Sequence, residues 1–276
     1  MSAPPERPLI LISNDDGIEA AGILSLAAAL DEVADIVIAA PLQEMSAVGH
    51  AITMRDPVRA RPWPFRGPSG QLTAFAVSGT PADCVKLALD KLVPRQPDLV
   101  VSGINHGPNT AVNVIYSGTV SAATEAAILG IPAIAFSYCK WGSGDFEASG
   151  RVARHVVETV LKNSLPAGIL LNVNIPDLPF DQIKGSMITR QAQARWEEQF
   201  AERLDPFDRP YYWLSGTFVN LDSGTNTDLW AVDNGWVSIT PIQHDLTAYR
   251  AMEALQEWPF SLGKEPHRAE SDASSS

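Results

Sequence analysis

The chain has 276 residues, of which 45% are hydrophobic and 19% charged; that is enough apolar material for a large buried core and excludes disorder as a general description. Its 20 Lys and Arg against 32 Asp and Glu give a net charge of -12, a field that repels duplex nucleic acid and anionic membrane surfaces. A small phosphorylated substrate remains open to it, because a bound cation can supply positive charge locally.

Short β-branched runs alternate with helical patterns through the first two thirds of the chain, which predicts parallel βαβ units. "PLILIS" (8–13) reads as a buried strand, "GILSLAAALDEV" (22–33) as a helix and "DIVIAAP" (35–41) as the next strand. After a polar loop comes an extended excursion over 52–66, interrupted by Pro57, Pro62 and Pro64, and then the strand "LTAFAVS" (72–78). "GTPADCVKLALDKLV" opens a helix with Thr80 as N-cap, Pro81 at the first helical position and Asp83 in the first turn. The strands "PDLVVSGI" (97–104) and "IPAIAFSY" (131–138) flank a helix that stops at Gly130. A helix over 145–163 and the strand "GILLNVNIP" complete this part.

From about residue 177 aromatics, Pro and Asp increase, and "YYWLSGTFVN" and "WVSITPI" alternate as antiparallel hairpin strands do. The expected fold class is therefore α/β: a Rossmann-like, three-layer, mostly parallel sheet with a smaller C-terminal β-rich extension. The expected division is 1–176 for the core, 177–262 for the extension, partly returning to the core, and 263–276 for a disordered polar tail. Cys84 and Cys139 show no metal-ligand spacing and no disulfide framework, and read as buried free thiols of a reducing compartment. The start "MSAPPERPLI" lacks the segments of a signal peptide, and no stretch approaches the roughly 20 apolar residues of a membrane span, so a cytoplasmic location is expected.

In an open parallel sheet ligands collect outside the carboxyl ends of the strands. Three unusual loops fall there: "SNDDG" after the first strand, "PLQEMSAVGH" after the second, and "SGINHGPNTAVNVIYSGTV" after the strand at 97–104. Asp15 and Asp16 repel each other unless a cation or hydrogen-bond donors intervene, and a hard divalent ion, Mg2+ or Mn2+, satisfies both. Taken alone, "NDDG" reads equally well as a turn with a helix cap. Asn105 and Asn109 offer neutral oxygen ligands or donors. The amides and hydroxyls of Ser117, Gly118 and Thr119 open a helix and form an anion site, or else a plain Ser/Thr cap. Asp15 or Asp16 can orient an attacking water and accept its proton. His50 and His106 read as structural loop histidines, and no general acid is evident. Trp196, Tyr211, Tyr212 and Trp213 read as core or subunit interface.

"ILISNDDGIEAAGI", "SAVGHAIT", "VSGTPADCVKLAL", "SGINHGPN", "YSGTVSAATEAAILGIPAIAFS" and "GWVSITPIQHDLT" occur in this order, and together they resemble the stationary-phase survival protein SurE family of metal-dependent nucleotidases. The resemblance runs from about residue 8 to about residue 250. It implies Asp15, Asp16, Ser46 and Asn105 as ligands of one divalent cation, hydrolysis of nucleoside monophosphates, and a homodimer or homotetramer built through the C-terminal extension. Two departures bear on substrate fit: Ala111 stands where relatives have a glycine, and Glu125-Ala126 replaces an "EG" pair. The alternative function is a non-catalytic metal- or nucleotide-binding regulatory protein. An aspartyl-phosphate enzyme is disfavoured because its two aspartates would be spaced by one residue, and a dinucleotide oxidoreductase because the first turn lacks G-x-G-x-x-G.

Overall fold

The computed structural model describes residues 7–141 and 144–260. The expected disordered tail, 263–276, lies outside the described residues. One compact unit runs to His244; a second begins at Asp245, and its described residues carry a single helix, α7 (Tyr249–Gln256).

The first unit is built on a sheet whose central strands are β5 (Gly70–Val77), β2 (Asp35–Pro41), β1 (Leu9–Ser13), β6 (Leu99–His106), β7 (Ala133–Tyr138) and β8 (Ile169–Ile175), in that spatial order and all parallel. β1 is buried along its whole length, and its alternation explains the layers. Leu9 and Leu11 pack with Cys84, Val85, Ala122 and Ala123, whereas Ile10 and Ile12 pack with Ile23, Leu26, Val152 and Val156. Helices α2 (Pro81–Leu87) and α4 (Gly118–Ile128) therefore cover one face, and α1 (Ala21–Leu30) and α5 (Glu147–Asn163) the other. Each fully buried Leu or Ile of β1 contributes about 1.5–3 kcal/mol by leaving water. This is the α/β architecture expected from the alternating runs.

The local signals at the helix ends act as read. Thr80 caps α2: its side chain accepts from Asp83 N while the Asp83 carboxylate takes the Thr80 amide, a reciprocal pair that satisfies two otherwise orphaned donors. Beyond Leu87 the helix continues through Leu92 with a wider turn, closed by Val93 N donating to Ala88 O. α1 has no side-chain cap and instead lies tight against the sheet, for a Cβ added at Gly22 would come within 1.9 Å of the Ile104 carbonyl oxygen. α4 lies close for the same reason of size: Ala122, Ala123 and Ala126 are fully buried on it.

The excursion before β5 forms two short strands, β3 (Ala60–Pro62) and β4 (Phe65–Gly67), both antiparallel to β5. After β8 the chain divides its residues between two places. β9 (Ser186–Ile188) and β12 (Val237–Gln243) extend the main sheet, β12 antiparallel to β8 and β9 parallel to β12. The segment "WVSITPI", read as a hairpin strand, is antiparallel but takes β8 as its partner, because Val237 and Ser238 are buried against the main sheet. α6 (Asp228–Asp233), capped by Thr227, precedes it. β10 (Ala194–Leu204) and β11 (Pro210–Asn220) form a separate two-stranded antiparallel ribbon. Of the expected core or interface aromatics, Trp196 is 39%, Tyr211 42%, Tyr212 56% and Trp213 65% exposed, which removes the core reading in this chain. Cys84 is buried and Cys139 only partly so, a correction to the second thiol; both are free. Among the described residues no helix is long and apolar enough to cross a membrane.

Candidate active site

β1 lies where the strand order reverses, with β2 on one side and β6 on the other. The chain leaving β1 and the chain leaving β6 therefore diverge, and a crevice opens between them. Asp15 and Asp16 sit at its floor. Asn14 Nδ2 donates to Gly17 O at 2.8 Å, closing the turn that presents them. The sequence thus supplies both readings at once, a turn and an acid pair.

Asp15 is 4% exposed and faces the start of α4. The Thr119 hydroxyl donates to Asp15 Oδ1, and a Cβ at Gly118 would approach the Asp15 Cβ to 2.7 Å, so only glycine admits this contact. Burial pushes the Asp15 carboxyl above its ordinary value, against the Thr119 hydroxyl and the amides of Thr119 and Gly118. Asp16 accepts from His106 N at 3.2 Å. Burial first, and then the charge of Asp15, pushes its carboxyl up to about 7. Among the described residues no Lys, Arg or His pairs with either acid.

Ser46 and Asn105 are the other two expected ligands. The loop carrying Ser46 is fastened at several points: Met45 N donates to Asp15 O at 2.7 Å, Gly49 N to Tyr116 O at 3.1 Å, and Thr80 Oγ1 to Ala51 O at 2.7 Å. Ser46 Oγ itself donates to Glu44 Oε1 at 2.6 Å. Asn105 Nδ2 donates to Gly107 O at 2.8 Å, which leaves Oδ1 as an acceptor 3.3 Å from Thr119 Oγ1. Asp16 and Ser46 line one cavity of about 390 Å³ together with Glu44, His106, Phe146 and Trp141.

These residues fit a hard cation. The expected ligands all offer oxygens, and the two carboxylates have no cationic side-chain partner among the described residues. Among the described residues no group of three or more His, Cys, Asp or Glu is gathered for a metal. A larger groove of about 530 Å³ beside α5 is apolar, contains no carboxylate and holds none of the candidate residues.

The remaining expected residues stand as follows. Ser117 Oγ accepts from Val120 N at 3.1 Å and so caps α4. Asn109 is buried: its Nδ2 donates to Ser137 Oγ at 2.8 Å, and its carbonyl accepts from Asn172 Nδ2 at 2.7 Å. Nδ2 retains a second hydrogen. His50 is no loop histidine on a backbone partner; its Nε2 lies 2.8 Å from Glu125 Oε2.

Several supporting residues were not read from the sequence. Glu125, 4% exposed, takes both His50 and, at 2.7 Å, Lys86 Nζ, so α4 and α2 together hold the Ser46 loop. Asp83 serves this loop as well as the helix cap, accepting from Thr53 N at 3.0 Å and Thr53 Oγ1 at 2.5 Å. Burial pushes the Asp83 carboxyl up, but these bonds outweigh it and hold the group below its ordinary value. Asp228, fully buried, accepts from Ala111 N at 2.8 Å and Ala192 N at 2.9 Å, which ties the loop after β6 to the segment preceding β10. Ala111 itself adopts φ 50, the left-handed region that favours glycine, at a cost of about 1 kcal/mol. The "GTPAD" cap and the Ala111 departure were visible signals; the long-range partners were not.

The fold and site define a doubly wound α/β protein with an oxygen-lined crevice at the reversal point of its sheet, suited to a divalent cation and an anionic ligand. The family model described as "Survival protein SurE" matches residues 10–198. A protein of Christiangramia forsetii named 5'-nucleotidase SurE is 48% identical over 257 residues, 93% of this chain and 98% of its own length. One of Flavobacterium psychrophilum with the same name is 47% identical over 256 residues, 92% of this chain and 99% of its own length. The crystal structure of the SurE protein from Aquifex aeolicus superposes with a TM-score of 0.78 at 40% identity, covering 90% of this chain and 98% of that one. The chain belongs to the SurE family, as its ordered motifs implied.

Proposed function

We propose that this chain is a metal-dependent phosphomonoesterase that hydrolyses nucleoside monophosphates to nucleoside and phosphate. The observation that carries this reading is the acid pair at the end of β1, Asp15 buried against the start of α4 and Asp16 lining the cavity, with no cationic partner among the described residues, in a chain whose relatives are named 5'-nucleotidases.

Asp15, Asp16, Ser46 and Asn105 would hold one divalent cation, Mg2+ or Mn2+. When bound, the ion supplies positive charge for the phosphoryl oxygens and lowers the pKa of a coordinated water. The chain's own groups do the rest. Asp16 faces the open cavity, where its carboxylate orients the attacking water and accepts its proton. Thr119 holds Asp15 in place through its hydroxyl. Of the donors at the opening of α4, Gly118 and Thr119 are turned toward Asp15, and the Ser117 hydroxyl hydrogen, with the second hydrogen of Asn109 Nδ2, would hold phosphoryl oxygens.

The exposed aromatics of β10 and β11 support the use of the 177–262 extension in a homodimer or homotetramer. Free thiols at Cys84 and Cys139 support a cytoplasmic location, and the net charge argues against nucleic acid and membrane partners.

The test is phosphate release from nucleoside 5'- and 3'-monophosphates with Mg2+, with Mn2+ and with chelator. Release that requires the ion and falls by roughly 100- to 1,000-fold in Asp16→Asn is the expected result. A folded wild-type protein that binds the ion and releases no phosphate from any of them would overturn the reading in favour of a binding protein.

A further inference from the structure

Trp141 is 73% exposed, although it lines the same cavity as Asp16, Ser46 and His106. An exposed indole offers a broad flat face to a ligand. Its six-membered ring lies on the main chain of Gly107: a Cβ added at Gly107 would stand 2.7 Å from Cζ3 and 2.8 Å from Cη2. That main chain is pinned on both sides, for Gly107 N donates to Tyr138 O at 2.9 Å and Gly107 O accepts from Asn105 Nδ2 at 2.8 Å. The indole thus rests on the loop that carries Asn105, with much of its surface open to water.

The cavity has a mixed lining: Asp16, Glu44 and Ser46 supply oxygens, and Trp141 and Phe146 aromatic rings. With the cation of the proposed function held at the acid pair, a ligand matching both has an anionic oxygen group at one end and a flat aromatic system at the other.

We propose that Trp141 is a specificity-determining residue whose open face stacks on the nucleobase of the substrate, while the phosphate lies at the acid pair. This rests on the nucleotidase reading and adds to it how the nucleoside is recognised. Every base presents a π-face, so the stack favours nucleosides over base-free phosphomonoesters and purines over pyrimidines, without reading base edges.

The test compares adenosine 5'-monophosphate with ribose 5-phosphate, which has the same phosphate and sugar but no base, for wild type, Trp141→Ala and Trp141→Phe in saturating Mn2+. In Trp141→Ala the ratio of the two kcat/KM values should fall about ten-fold, through KM for the nucleotide, and Trp141→Phe should recover most of it. A merely structural role would lower both rates together and leave the ratio unmoved, which would overturn the inference while the hydrolase reading stands. Wild-type protein that hydrolyses neither compound overturns both.

Discussion

The crevice at the end of β1 and the ribbon β10–β11 spend their side chains in opposite ways. At the crevice the polar groups are buried and closely held: Asp15 is 4% and Glu125 4% exposed, and glycines are imposed where backbone or side chain comes too close for a Cβ. On the ribbon the large apolar groups are the exposed ones, with Phe200 at 69% and Trp213 at 65%. Burying charge is expensive and exposing aromatics is wasteful, so each region departs from the cheapest arrangement, and each departure marks where the chain meets something else. On our reading the crevice meets an ion and an anion, and the ribbon another copy of the chain.

Substitutions divide the two regions sharply. The largest effect belongs to Gly22→Ala, whose new methyl would sit 1.9 Å from the Ile104 carbonyl oxygen. It should cost upwards of about 3 kcal/mol, read as a collapse of the unfolding midpoint or loss of soluble protein, because neither α1 nor β6 can retreat without opening the core.

Next is the pH dependence of the acid pair in chelator. Folded, Asp16 keeps its proton to about 7, whereas unfolded it gives it up near 3.8. Between those values the folded state binds more protons, so stability falls as pH rises through this window, by a few kcal/mol at most. Asp15 is shifted in the same direction. Thermal melts should show the decline in metal-free wild type, a flatter profile in Asp16→Asn, and recovery on adding Mn2+. A wild-type midpoint that rises across the window would contradict the buried, unpaired pair.

Glu125→Gln should cost about 1–3 kcal/mol by chemical denaturation, since it removes the buried charge that binds both Lys86 and His50. The apparent affinity for Mn2+ should fall with it, because the Ser46 loop loses one of its fastenings. Trp213→Ser, on the ribbon, should shift the unfolding free energy of the monomer by no more than about 0.5 kcal/mol, yet reduce the oligomer mass seen by light scattering. If it destabilises the isolated chain as strongly as the crevice variants do, the contrast between the regions is lost.

The two regions also differ in how far the sequence discloses them. The parallel core was legible because its strands are uninterrupted apolar runs and α2 and α4 carry local caps, Thr80-Pro81-x-Asp83 and Ser117, signals that need no distant partner. The acid pair was legible for the same reason, being two residues at one strand end. What escaped depends on contacts far apart in the chain. "WVSITPI" has the alternation of a hairpin strand, yet lies on β8. Glu125 meets Lys86, 39 positions away, and Asp228 meets Ala111 at a separation of 117. His50 reads as a structural loop histidine because its side-chain partner, Glu125, lies 75 positions away on α4. Trp141 drew no notice, since nothing local shows that Gly107 would lie beneath its ring.

On our reading Asp15 and Asp16 form the floor of a single-ion site, and calorimetric titration of Mn2+ into chelator-stripped protein is the decisive experiment. One ion per chain is expected, with affinity reduced about 100-fold or more in Asp16→Asn while the variant remains folded. An ion that binds wild type and Asp16→Asn equally well would contradict it.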